Sequence, residues 1–326
     1  MPIEALLTDL FGQSEPTQNT NSVTANRPEK PAAGKTAAPL KKSSLAILQR
    51  KTEEALARSS LQALGVQSVL QLTFDKWDDD RRGVPNPLIR SGLFTTRLSK
   101  TRFNYKAEKI ASLSNIDILY TGEELRQDDF TVWMALTHKA REKPLGNHVY
   151  FTGYELIKDM AWRMHSESYA KLRASIARLK LTAIQITSKN ERSGYTGSLI
   201  RDYAFDSEDE IGNTRYMVRF EPAIANLFKF DETTLIEWSQ RVQIGSRASL
   251  TLWLHMFLFT HSTPIPYSVS KFHEQCKSEE KTLRTFKVRL QRSLETLIEI
   301  GFLQSYAIIK DMVHVKRAFI PRQLSA

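Results

Sequence analysis

One arrangement occurs twice in this chain. Around Trp133 and again around Trp253, an apolar helix, a short strand and a second helix lead into a basic helix and then into alternating apolar stretches. In the first copy, Val132, Trp133 and Leu136 give way to the strand-like His148-Val149-Tyr150-Phe151-Thr152, then to a helix, then to a basic helix from Ser168 to Lys180. In the second, Leu252, Trp253 and Leu254 give way to Pro264-Ile265-Pro266-Tyr267, a helix, and a basic helix through Lys281 and Arg292. A helix-turn-helix followed by a β-hairpin is the winged-helix pattern, and two of them predict a tandem reader of double-stranded DNA. The expected fold class is therefore α+β, with tandem winged-helix domains behind a disordered N-terminal arm.

Each basic helix has one apolar and one polar side. In the first, Leu172, Ile176 and Leu179 fall at helical spacing and should pack inward. Ser168, Lys171, Ser175 and Arg178 fall on another face and are expected to project from the core together, with Arg173 as a further DNA contact. The helix before it starts at a capping box, Thr152 with Glu155, and buries Leu156, Ile157 and Met160. Strands over 182–188, 199–205 and 216–220 are expected to form the first wing, with Lys189 and Arg192 reaching phosphates.

In the second copy Ser246 is the expected cap of an apolar helix through His261, Ser268 or Ser270 that of the next, and Ser278 that of the long basic helix. Its apolar side is Leu283, Phe286, Leu290, Leu294 and Leu297. Its polar side carries Lys281, Arg284, Thr285, Lys287, Arg289 and Arg292, with no acidic residue between Lys281 and Arg292. Strands 302–309 and 312–317 around Lys310-Asp311 make a second hairpin, with Lys316 and Arg317 as phosphate contacts. The DNA major groove admits one helix whose cationic side meets base edges and phosphates. Taken singly, either helix reads better as a solvated surface helix; their recurrence in one context favours DNA.

Bulk charge agrees with that reading. The net charge is +10 and the sequence pI about 9.5, which favours an anionic partner. Cys276 is the single cysteine, so no intrachain disulfide and no cysteine-based zinc site is expected. No long apolar run and no basic leader occur, so neither a membrane partner nor secretion is expected, and the location is read as cytoplasmic. The histidines lack metal-ligand spacing, and no cofactor or catalytic group is expected. Gly34-Lys35-Thr36 ends like a phosphate-binding loop, but Glu29 stands where the upstream glycine belongs.

A chain of 326 residues suits two domains and a tail. Residues 1–44 read as a disordered tail, because between Phe11 and Leu40 Val23 is the only large aliphatic. Residues 45–90 read as a helical arm and a linker, the latter with Asp78-Asp79-Asp80, Gly83, Pro85 and Pro87. The two winged-helix domains then fall at 91–228 and 229–326. Within the arm, Gln71-Leu72-Thr73-Phe74 reads either as a short peptide that inserts into a partner's apolar pocket or as a small strand packed on its own domain.

Several runs carry a family resemblance: Leu93-Phe94-Thr95-Thr96-Arg97, Tyr120 through Arg126, Phe151 through Leu156, Trp162, Tyr169 with Lys171, Arg178-Leu179 and Thr187-Ser188. Together they resemble the TrfA family of plasmid replication initiators, densely from 91 to 188 and more weakly to 318. The resemblance implies a non-enzymatic initiator that binds repeated origin sites called iterons, promotes opening of adjacent DNA, and limits copy number through homodimers. It also implies host partners: DnaA, the replicative helicase and the sliding clamp, the last through Gln71, Leu72 and Phe74. That peptide is one residue shorter than the family's clamp-binding pattern. A transcriptional regulator built from the same modules is the alternative reading, since fold alone does not fix function.

Overall fold

The computed structural model describes residues 74, 77–112, 116–189, 194–206, 214–228, 233–261 and 265–318. The tail, the 45–67 helix, Gly34-Lys35-Thr36, Gln71, Leu72 and Arg192 lie outside these residues. The elements are β1 (Arg81–Pro85), α1 (Asn86–Ile89), β2 (Phe94–Thr95), β3 (Asn104–Ile110), β4 (Ile116–Glu123), β5 (Leu125–Arg126), α2 (Gln127–Ala140), β6 (His148–Thr152), α3 (Gly153–Asp159), α4 (Ser166–Leu181), β7 (Ala183–Ser188), β8 (Gly194–Gly197), β9 (Asp202–Asp206) and β10 (Arg215–Arg219). A 3-10 turn (Pro222–Phe228) then leads to β11 (Thr233–Glu237), α5 (Trp238–Ile244), α6 (Ser249–Phe259), β12 (Tyr267–Ser268), α7 (Val269–Gln275), α8 (Leu283–Glu299), β13 (Leu303–Ile309) and β14 (Met312–Arg317).

The repeated pattern is visible as topology. Helix, strand, seven-residue helix, long helix and hairpin follow one another as α2-β6-α3-α4 with β9-β10, and as α6-β12-α7-α8 with β13-β14. In both copies the single strand joins the last hairpin strand, giving the sheet orders β6-β10-β9 and β12-β14-β13. Local chemistry sets the boundaries. Thr152 Oγ1 accepts from the Glu155 N–H at 3.2 Å while Glu155 answers to the Thr152 N–H at 3.3 Å, so α3 starts at a reciprocal cap. Ser268 caps α7 one way, its Oγ accepting from the Lys271 N–H at 3.2 Å. At the β13–β14 turn Lys310 and Asp311 both have positive φ, 47° and 62°, the backbone that a two-residue hairpin requires.

The first wing differs from the expectation. Strand 182–188 does not pair with 199–205: β7 pairs with β4 and β8 in a four-stranded sheet ordered β3-β4-β7-β8. The hairpin that joins β6 in the three-stranded sheet is instead β9-β10. The reason lies upstream, where the β3-β4 hairpin offers Ile118 and Tyr120 opposite Ile186 and Ile184, an apolar edge that captures β7.

The domain boundaries also move. Residues 77–90 are not a link: Trp77, Val84, Leu88 and Ile89 are buried, and β1 pairs antiparallel with β11, from Arg81 opposite Glu237 to Pro85 opposite Thr233. Gly83 is required there, because a Cβ would stand 2.6 Å from the Trp77 ring. The first core runs from Phe74 to Trp238 and includes Met256, while the second begins at Ile244 and ends at Val313. The break therefore falls within α5 rather than at residue 228. At its centre α2 is buried nearly all round, from Phe130 through His138, as the helix that two modules share.

Candidate nucleic-acid interface

Helix α8 carries the more open of the two basic faces. Thr282, rather than Ser278, caps it, with Oγ1 accepting from the Thr285 N–H at 3.2 Å. Phe286, Leu290, Ser293, Leu294 and Leu297 are buried against α6 and β13. On the other side Lys281, Arg284, Thr285, Val288 and Arg292 are exposed. Arg284, Thr285, Val288 and Arg292 line one shallow concavity with Glu280 and Arg289. Among the described residues, no carboxylate pairs with Lys281, Arg284 or Arg292, so three cations face solvent, Lys281 just ahead of the helix and Arg284 and Arg292 along it.

The other basic residues of this module are engaged. Lys287 Nζ lies 2.7 Å from Asp311 in the hairpin turn. Arg289 pairs with Glu280 at 2.5 Å and donates to Ser249 Oγ at 3.0 Å, tying the helix to the start of α6. Arg317 lies 4.6 Å over the Phe259 ring and 5.3 Å over Phe302, and burial lowers its pKa. Lys316 is exposed on β14.

Helix α4 is arranged differently. Leu172, Ile176 and Leu179 are buried, as their spacing requires, but so are Ser168 and Ser175. The expectation that Ser168, Lys171, Ser175 and Arg178 project away from the core is corrected: that face packs on the start of α2. Arg178 lies 2.9 Å from Asp129, reaches Glu123 at 3.8 Å, and donates to Ser175 Oγ at 3.3 Å. Lys171 sits 3.4 Å from Asp128 and 4.5 Å over the Trp162 ring. Arg102 completes the cluster, 2.6 Å from Asp129 and 3.3 Å from Asp128.

Three cations thus meet three carboxylates, with Asp129 fully buried at the centre and Lys171 and Glu123 at the open edge. Burial pushes Asp128 up, but Lys171, Arg102 and Arg178 outweigh it and hold its carboxyl below the ordinary range. Burial and then the adjacent Asp128 raise Asp129 against the pull of Arg102 and Arg178. The exposed residues of α4 are Ser166, Glu167, Ala170, Arg173, Ala174 and Leu181, so Arg173 is its one exposed cation, and it stacks 4.8 Å over Phe205 of the β9-β10 hairpin. Lys189 is exposed in the turn after β7, on the four-stranded sheet rather than on β9-β10.

Sequence reasoning missed this cluster. Asp128-Asp129 just inside a helix start looks like ordinary first-turn acid. Arg102 stands in a Ser/Thr loop, and nothing local couples it to α2 or α4. Of the two readings of Gln71-Leu72-Thr73-Phe74, Phe74 follows the one in which it packs on its own domain. That ring is 1% exposed and packs edge-on against Phe220 at 5.7 Å and Phe228 at 4.9 Å. Phe74 is therefore core, not an exposed partner-binding side chain.

The model of the TrfA protein family matches residues 41–317, most of the chain. The chain belongs to the TrfA family. A relative described as the plasmid replication initiator protein TrfA of Escherichia coli is 29% identical over 269 residues, spanning 81% of this chain and 69% of the relative. Two solved structures of domains 2 and 3 of RctB, at 14% and 15% identity, cover 69% and 70% of this chain and 95% and 96% of their own, with TM-scores of 0.49 and 0.47. Among the described residues no cluster of metal-ligating side chains occurs, and no helix is long and apolar enough to cross a membrane.

Proposed function

We propose that this member of the TrfA family is a plasmid replication initiator whose two copies of the repeated arrangement are winged-helix modules that bind iterons in the origin. The observation that carries the reading is the open basic face of α8, with Lys281, Arg284 and Arg292 unpaired among the described residues, set on a helix whose opposite side is fully buried. Such a helix fits a major groove, with Arg284 and Thr285 near its N-terminus placed to meet base edges. Lys316 on the hairpin behind it would touch phosphates and fix register. In the first module Arg173 and the β9-β10 hairpin take that role, and Lys171 joins them by leaving Asp128.

Origin opening, recruitment of DnaA, helicase and sliding clamp, dimerisation, a cytoplasmic location and the absence of enzymatic activity complete the proposal on the strength of family membership. For the clamp, Gln71 and Leu72 remain the candidate contacts and Phe74 does not. The direct test is a gel-shift titration of the full chain against the direct repeats flanking its gene. Tight, repeat-specific binding that falls about tenfold or more in Arg284→Ala supports the reading, that factor being the loss of one good base contact. Equal binding of repeat and scrambled DNA would sink it. A plasmid carrying only this gene and those repeats should replicate in a suitable host.

A further inference from the structure

Val288 stands 49% exposed on the open face of α8. Arg284 lies one turn before it and Arg292 one turn after it, both exposed, and all three line one concavity of about 400 Å³ together with Thr285. At 3.6 residues per turn these side chains form a single row, which Lys281 continues just ahead of the helix. Glu280 is the one carboxylate of the lining, and Arg289 occupies it at 2.5 Å. The row itself is therefore cationic, with one apolar member.

Nothing in the folding of α8 calls for that member. The second core is built from the opposite side, by Phe286, Leu290, Leu294 and Leu297, and Val288 is not part of it. A β-branched side chain is also a poorer helix former than Lys, Arg or Glu at an exposed position. Single exposed apolar residues are ordinary on protein surfaces, so what sets Val288 apart is its place in the row. Beyond Arg292 the same side carries Glu295 and Glu299, both exposed, and the Tyr306 hydroxyl donates to Glu295 at 3.2 Å. Carboxylates repel DNA phosphates, so the part of the row that can approach a duplex ends at Arg292. Val288 lies at the centre of that part, with a guanidinium on either side.

The major groove offers hydrogen-bond donors and acceptors on every base pair and a single apolar group, the C5-methyl of thymine. An arginine fits the paired acceptors of guanine; a valine has no donor, and the methyl is the feature on which it can discriminate. We propose that Val288 is a specificity-determining residue that packs against the C5-methyl group of a thymine in the repeat, between the positions reached by Arg284 and Arg292. The inference rests on the repeat-binding role of α8 proposed above. It adds a geometric requirement. Val288 is about 6 Å along the helix from Arg284, and base pairs stack about 3.4 Å apart, so the thymine lies within about two base pairs of the one that Arg284 meets.

The test is a fluorescence-anisotropy titration of the full chain, at one fixed salt concentration, against the direct repeats flanking its gene with each thymine replaced in turn by deoxyuridine. That replacement removes the C5-methyl and leaves base pairing intact. In the parent chain it should weaken binding about fourfold at the thymine that Val288 meets, the weight of one buried methyl group. In Val288→Ala, an exposed and helix-compatible substitution, the unmodified repeat should bind more weakly by a similar factor, and deoxyuridine at that position should cost nothing further. Val288→Thr keeps a methyl in the same place and should keep the sensitivity. The sensitive position should fall within about two base pairs of the one at which Arg284→Ala relaxes specificity. A parent chain indifferent to every replacement, or one whose losses recur unchanged in Val288→Ala, overturns the inference while repeat-specific binding through Arg284 stands. Equal binding of repeat and scrambled DNA would remove the proposed function and this inference with it.

Discussion

Helices α4 and α8 occupy the same place in two copies of one arrangement, yet they handle their positive charge in opposite ways. On α4, Lys171 and Arg178 are spent inside the protein against Asp128, Asp129 and Glu123. On α8 and just ahead of it, Arg284, Arg292 and Lys281 stand in solvent, and the pairs that do form, Lys287 with Asp311 and Arg289 with Glu280, lie at the margins of that face. The same residue types on corresponding helices therefore do different work. In the first module charge holds structure together, and in the second it is left open to solvent.

The sharpest way to break this comparison is to remove one cation from each helix and measure stability. Arg178→Ala leaves Asp129, which is 0% exposed, with only part of its compensation, and breaking a buried pair in this manner costs about 3 kcal/mol. Arg284→Ala removes an exposed side chain and should leave urea-unfolding stability within about 0.5 kcal/mol. Equal losses in the two variants would end the distinction. In repeat binding the order reverses: Arg284→Ala should cost about 1–3 kcal/mol, with relaxed specificity at the base it meets. An Arg284→Ala chain that binds every sequence equally more weakly would reduce that residue to a phosphate contact.

How much of this was legible in the sequence follows from the range of the forces involved. Periodicity located α3, α4 and α8 and their buried faces, because Leu172, Ile176 and Leu179, or Phe286, Leu290 and Leu294, report a local geometry. It could not reveal that β7 leaves the wing for β4, since that choice depends on an apolar edge about 65 residues upstream. Nor could it separate an outward Arg178 from an inward one. The deciding partner, Asp129, is 49 residues away, and any amphipathic helix has a polar side whether or not another element covers it. The breaker-rich stretch around Gly83 and Pro85 misled for a related reason: β1 pairs at the far side of the module, through a strand that carries Pro at its end.

A feature that the two copies share offers a control on the features they do not. Each central helix holds a desolvated histidine, His138 on α2 and His255 on α6, and burial lowers both pKa values to about 3. His138 accepts from the Trp77 indole at 3.0 Å, and His255 contacts Gln240 at 3.2 Å. Because these folded-state values lie below the unfolded value of about 6.5, the unfolded chain takes up protons first on acidification. Stability is then complete above about pH 6.5 and falls as the pH drops toward 3, by about 1.4 kcal/mol per pH unit for each such group. His255→Gln should flatten the slope of a urea-midpoint series between pH 6 and 5, and an unchanged slope would mean that His255 titrates normally. Arg284→Ala should not alter it.

The smallest expected effect discriminates most finely between the two helices. Each cation that neutralises a DNA phosphate adds about 0.9 to the slope of log K against log salt concentration. Lys281 is exposed ahead of α8, so Lys281→Ala should lower that slope by close to one such unit, with under about 1 kcal/mol lost at moderate salt. Lys171 must first leave Asp128, 3.4 Å away, and the face of Trp162, and doing so returns a carboxylate charge to the DNA-facing side. The released repulsion cancels much of what a new phosphate contact would add, so Lys171→Ala should move the slope by well under one unit. Identical slope changes in the two variants would mean that DNA pulls Lys171 free at no cost, and that the acidic start of α2 is no restraint on the first module.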